Sequence, residues 1–171
     1  MSYVAANLLL HIGEEYQTFE AFANLMHKYL MFTFYSFDMP KVNIDFNLFM
    51  RLMKTHVAKL YQPFMQLGLS CSFFMFEWVV AMFCNILPLS FSARLWDSWL
   101  FHGEVFFYKV CLAVSQLLYE NCSSQGGEDM LVIMFKSIDK FVTEDSLFNK
   151  IDSIKLTEKE YNKLREDLVA N

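Results

Sequence analysis

The stretch FFMFEWVVAMFCNILPLSFSARLWDSWLFHG, residues 73–103, decides how the rest of the chain is read. Its first half is apolar on almost every side, and only Glu77, Ala81 and Asn85, at i, i+4 and i+8, form a narrow polar or small stripe. A helix with so little polar surface belongs among other helices. Pro88 stops it, since the ring lacks an N–H and clashes with the preceding turn. Ser90 or Ser92 then caps a second helix, with Leu95, Trp96, Trp99 and Leu100 on one side and Arg94, Asp97 and Ser98 on the other. Gly103 closes that helix. Trp78 and Trp96 are core residues on this pattern, and no sheet separates them.

Beyond this stretch, the composition supports helices throughout. The 171 residues suffice for one domain with a substantial core and are too few for two ordinary ones. A hydrophobic content of 55% with 18% aromatics excludes disorder, and only 5 Gly and 3 Pro leave the elements long. The fold class is all-α, an irregular helical bundle. A net charge of -5 without basic clusters excludes the concentrated Lys/Arg surface that nucleic acid requires.

The cysteines, Cys71, Cys84, Cys111 and Cys122, lie in or at the ends of apolar helices without CxxC spacing, as small hydrophobes in a reducing compartment. Asn121-Cys122-Ser123 matches a glycosylation acceptor by chance, since no basic n-region opens the chain. Residues 67–89 are nearly long enough to span a bilayer. Glu77 sits mid-stretch, and a central charge costs about 2.5–3.5 kcal/mol on insertion scales. A buried helix of a soluble domain is therefore expected, and Val105 to Tyr119, with Lys109 and Gln116, reads the same way.

Upstream, Ser2 to His11 forms a short helix, Gly13 interrupts, and Glu14 and Glu15 open the next helix at the positive end of its dipole. That helix carries Phe19, Phe22, Ala23 and Met26 as its apolar face. Tyr29 to Tyr35 continues it, and the chain turns at Ser36 to Pro40. From Asp45 to Lys54, Phe46, Phe49, Met50 and Met53 face inward and Asn47, Arg51 and Lys54 outward. A helix from Val57 to Leu67 is kinked or split at Pro63 and ends at Gly68.

Downstream, Glu104 to Glu120 is a long buried helix, and Ser123 to Gly127 is a loop. Asp129 to Phe141 and Asp145 to Ser153 are amphipathic helices. Thr157 opens a surface helix through a capping box with Glu160, and Tyr161, Leu164 and Leu168 are its apolar ridge. Two regions are expected: 1–124 as the main helical domain and 125–171 as a helical extension packed on the same bundle.

No constellation for chemistry emerges. GxxxxGK[ST], GxGxxG, GxSxG and HExxH are all absent, and His11, His27, His56 and His102 have no neighbour at metal-ligand spacing. No cofactor and no metal are expected. Asp97 is expected to be held by Arg94 or by free helix N–H groups. Glu77 is expected to be a buried or edge carboxylate paired with Lys or Arg.

The order of an aromatic-Trp helix, Leu87-Pro88, then Arg94-Leu95-Trp96-Asp97 and a closing Gly103 resembles the C-terminal half of the TBC domain, the activating domain for Rab-type small GTPases. Ser2-Tyr3-Val4-Ala5-Ala6 is similar to the segment immediately after the family's Tyr-x-Gln-Gly motif. The resemblance runs from Met1 to about Tyr119. Trp78, Pro88, Arg94, Trp96, Asp97 and Gly103 carry its architectural signature.

The resemblance implies a regulator of a GTPase rather than an enzyme. The family inserts an arginine from Ile-x-x-Asp-x-x-Arg and a glutamine from Tyr-x-Gln into the GTPase. The arginine offsets charge on the phosphoryl oxygens and the carboxamide orients water, with an arginine finger contributing ~10³–10⁵ in rate. Neither motif occurs in this sequence: Arg51, Arg94 and Arg165 lack the first context, and Tyr61-Gln62 lacks the second. The chain alone is expected to be inactive, as a C-terminal piece of a longer activator. The alternative is a finger-less scaffold that binds a GTPase or another protein. By resemblance Ser2, Tyr3 and Asn7 lie near the GTPase groove, and Asp38, Lys41 and Asp45, in the turn, are further candidates. The expected setting is cytoplasmic, peripheral at endomembranes through the partner.

Overall fold

The computed structural model describes residues 2–125, 138–140 and 142–170, and among them every regular element is helical. In chain order these are α1 (Ser2–Ile12), α2 (Glu15–Met26), α3 (Tyr29–Tyr35), α4 (Met39–His56) and α5 (Ala58–Gln66). Next come α6 (Ser72–Ala81), α7 (Leu89–His102), α8 (Glu104–Gln125), a 3-10 turn (Ile138–Lys140), α9 (Glu144–Ser153) and α10 (Glu158–Val169). The all-α expectation holds. α1 and α2 pair as a hairpin, α3 lies against α6, and α4 touches α3, α5, α8 and α10. α7 and α9 pack on α8.

Local chemistry explains most of the boundaries. Glu14 caps α2, its carboxylate accepting from Tyr16 N at 3.0 Å and Gln17 N at 2.6 Å, and those bonds hold it below the usual carboxylate range. Pro40 sits in the first turn of α4, where its missing N–H has no intrahelical role. Thr143 and Ser146 form a capping box at α9, and Thr157 accepts from Glu160 N at α10. α5 runs unbroken through Pro63. No split occurs there: the carbonyl deprived of its partner is that of Lys59, an exposed residue open to water.

The apolar hairpin at 73–103 is the centre of the core, with Trp78 1% and Trp96 6% exposed. Burying a side chain of this kind contributes on the order of 1.5–3 kcal/mol or more. Its first helix, however, ends at Ala81 and not at Pro88. Met82 and Phe83 adopt left-handed backbone, with φ of 47° and 63°, although neither is glycine. Three contacts hold them there. Phe83 N donates to Trp78 O at 3.1 Å, Trp96 Nε1 donates to Met82 O at 2.9 Å, and Tyr35 Oη donates to Val80 O. The freed carbonyls of the helix end are thus met by side chains from α3 and α7. Asn85 consequently lies outside the helix, and the expected stripe with Glu77 and Ala81 does not continue to it.

Other expectations shift by a fraction of a turn. Pro88, not Ser90 or Ser92, is the N-cap residue of α7, and Ser92 Oγ donates back to Pro88 O. Leu100 is 49% exposed and Phe19 68% exposed, because the faces of α7 and α2 that reach the core centre on Trp96 and on Thr18 and Leu25. Of the buried and edge positions expected for Glu77, the buried one is excluded, for the residue is exposed on α6. Ser123, Ser124 and Gln125 prolong α8 instead of forming a loop. Gly126, Gly127 and most of the expected Asp129 to Phe141 helix lie outside the described residues, as does the side chain of Cys122. Cys71, Cys84 and Cys111 are free and buried, and burial pushes the Cys71 thiol up to about 12 and the Cys84 thiol up to about 11.

Candidate functional site

The groove candidates fall on α1, with Ser2, Tyr3 and Asn7, and at the start of α4, with Asp38, Lys41 and Asp45. On α1, Ser2 and Tyr3 are exposed, Tyr3 by 56%. Asn7 is not available at the surface: it is 2% exposed, its Oδ1 has no partner among the described residues, and His11 Nδ1 donates to its carbonyl at 2.8 Å. Val4 and Asn7 are the residues of α1 that reach the interior.

At the corner between α3 and α4, Asp38 and Lys41 serve each other. Asp38 Oδ1 caps Lys41 N at 3.3 Å and Oδ2 accepts from Lys41 Nζ at 2.7 Å, and both side chains remain solvated. The Lys41 side chain holds the Asp38 carboxyl below its usual range, and Asp38 raises Lys41 in turn. Beside them Phe37, at φ 55° and 67% exposed, stacks on Phe76 of α6 with ring centroids 5.9 Å apart.

Asp45 departs from the expectation, for it points inward and is 0% exposed. The position is set by spacing: Asp45 stands three residues after Val42 and four before Phe49, on the buried stripe of α4. Tyr108 of α8 donates to its Oδ1 at 2.8 Å, while Oδ2 has no partner among the described residues. Burial pushes the carboxyl up to about 7, nearby Glu104 adds to the rise, and the Tyr108 hydrogen bond and Arg165 oppose it. Tyr161 of α10 donates to Glu104 Oε2 at 2.8 Å, its ring 5.4 Å from that of Tyr108. Arg165 lies 4.0 Å over the Tyr29 ring. Composition and motif searches missed this buried polar cluster; the signal was a charged residue placed on an apolar helical stripe.

The architectural signature is structural in each place. Arg94 leaves Asp97 alone: it pairs with Glu144 of α9 and lies 4.5 Å over the Phe148 ring, and Asp97 is exposed. Gly103 has φ 73° and ψ -163°, a region open essentially to glycine alone, and joins α7 to α8 there. Among the described residues no three His, Cys, Asp or Glu side chains are grouped to hold a metal ion. None of their helices is long and apolar enough to cross a membrane. The depression of roughly 500 Å³ beside His56, lined also by Thr55, Lys59, Gln116, Tyr119 and Glu120, has no thiol in its wall.

Among the described residues the helices present single aromatics to solvent, Tyr3, Tyr16 and Phe37 among them. The profile of the Rab-GTPase-TBC domain matches residues 1–121, and the chain belongs to that family. It is similar to Drainin of Dictyostelium discoideum, with 24% identity across 97% of this chain and 38% of the relative. TBC1 domain family member 12 of Mus musculus is 28% identical across 91% of the chain and 22% of the relative. Member 14 of Homo sapiens is 26% identical, again across 91% and 22%. The chain thus spans well under half the length of these relatives.

Proposed function

We propose that this chain is the wall-forming, C-terminal part of a Rab GTPase activator, acting in membrane trafficking within a longer polypeptide that carries the arginine and glutamine fingers. The observation that carries the proposal is the family match over residues 1–121. Two further facts support it: the sequence contains neither finger motif, and it spans only 22% to 38% of its relatives. Exposed Ser2, Tyr3 and Lys41, with half-exposed Asp38, are the residues offered to the GTPase; Asn7 and Asp45 support them from inside. The division into 1–124 and 125–171 separates the groove-forming helices from a packed extension.

The test compares two proteins on a panel of Rab-type GTPases: the longest natural polypeptide containing this chain, and the chain itself. Stimulated hydrolysis by the former, abolished when its Ile-x-x-Asp-x-x-Arg arginine is replaced, supports the activator reading. No stimulation on any Rab contradicts it. The missing motifs also favour a second reading, a finger-less scaffold, which binds GTP-loaded Rab proteins without changing their turnover.

A further inference from the structure

The seam between α10 and the α4–α8 pair is built unlike the rest of the core. Among the described residues the other buried polar side chains, Asn7, Thr18, Thr33, Ser92 and Ser115, are neutral; here a carboxyl on α4 is enclosed beside two tyrosines. Asp45, wholly buried, is bonded through one oxygen to Tyr108, and its second oxygen has no partner among the described residues. Arg165 Nε, contributed by α10, is also buried and without a partner among the described residues, while the rest of its guanidinium reaches Tyr29. The titratable and charged groups around Asp45 are Tyr29 from α3, Glu104 and Tyr108 from α8, and Tyr161 and Arg165 from α10. Glu104 and Tyr161 are bonded to each other, so they close the same cluster from the α10 side.

An acid in this setting has one comfortable state. Protonated, Asp45 is neutral and its lone buried oxygen carries no charge to be solvated. Ionised, it carries a buried charge whose desolvation outweighs what the Tyr108 and Tyr29 hydroxyls and Arg165 return to it. The relief open to the charged form is for α10 to move away and admit water. We propose that the Asp45 cluster is a proton-linked clasp, holding α10 onto α4 and α8 when Asp45 is protonated and loosening it when Asp45 ionises. Burial, which raises this carboxyl to about 7, places the change near neutrality. Because α10 lies beyond the residues matched by the family profile, the clasp ties that extension to the domain in a pH-dependent way.

A second contact between ionisable groups crosses the seam, His56 Nε2 to Glu160 Oε1 at 3.0 Å. The test must therefore isolate Asp45. Hydrogen exchange of the α10 amides, corrected for intrinsic rates, is followed from about pH 5.5 to about pH 8 in the wild-type chain and in Asp45→Asn, which keeps His56 and Glu160. The clasp predicts that wild-type protection falls by about tenfold or more and that the variant's falls much less. Equal profiles in the two proteins overturn it. Should Asp45→Asn not fold, the carboxyl ¹³C shift of Asp45 in the wild-type chain decides: a midpoint near 7 upholds the clasp, and one near 4 ends it.

Discussion

The indole N–H of Trp96 donates to the carbonyl oxygen of Met82 at 2.9 Å, so the residue that makes the second helix of the hairpin also terminates the first. Met82 has left-handed backbone and is 1% exposed, and its carbonyl has no route to water. Trp96→Phe keeps most of the ring and removes the donor. It is expected to cost about 1 kcal/mol or more, since the Met82 carbonyl then keeps only the weak Cys84 Sγ donor at 3.7 Å. Urea unfolding measures this, and a change below about 0.5 kcal/mol would show that the bond is not needed to end the helix.

Two positive-φ positions separate backbone need from side-chain contact. Gly103 has open space where a Cβ would sit, so Gly103→Ala meets no clash. It is nevertheless expected to cost about 1–3 kcal/mol, from the φ/ψ region alone. Phe37→Gly relieves a left-handed backbone and gives up an exposed ring stacked on Phe76. These effects oppose each other, and the variant should lie within about 1 kcal/mol of the wild type in the same urea assay.

Replacing the donor to Asp45 gives a pH-dependent cost. Asp45 is raised from its ordinary value to about 7, so its contribution to stability is fully present below about pH 4 and is lost as pH climbs through 7. The midpoint urea concentration should therefore decline between pH 5 and pH 8. The Tyr108 hydrogen bond favours the charged carboxylate, hence Tyr108→Phe should destabilise more at pH 8 than at pH 6. An equal cost at both values would show that Asp45 does not ionise in the folded state.

The buried thiols offer a probe of packing. Cys71, Cys84 and Cys111 are free, buried, and raised by desolvation, so none should react with a thiol reagent at pH 7.5 until the domain opens. Mass spectrometry of the labelled protein identifies the sites. Modification of Cys111 as rapid as that of a free peptide thiol would contradict the core as described.

Much of the fold was legible because helical spacing is local: the apolar run at residues 73–87 and the Gly103 stop are written in neighbouring residues, whereas the turn expected through Pro40 ends at Asp38, which caps an α4 that begins at Met39 and not at Asp45. The end of α6 was not, since Met82 and Phe83 take up a glycine-like backbone only under contacts from Tyr35 and Trp96, far along the chain. Asp45 was misjudged for a different reason. A carboxylate reads as solvated by type, and only its place between Val42 and Phe49 shows that it faces Tyr108. Likewise Arg94 finds Glu144, fifty positions away, in preference to its neighbour Asp97. Family membership came from the order of motifs, whereas the surface that meets a GTPase depends on packing that no local pattern records.

Whether these 171 residues supply architecture without the catalytic fingers is decided by single-turnover GTP hydrolysis. Purified Rab-type GTPases loaded with GTP are mixed with an excess of the chain, and phosphate release is timed against the GTPase alone. Unchanged rates are predicted for every GTPase in the panel. Acceleration of any one of them by this chain, approaching the ~10³-fold that a finger can supply, would contradict the finger-less reading.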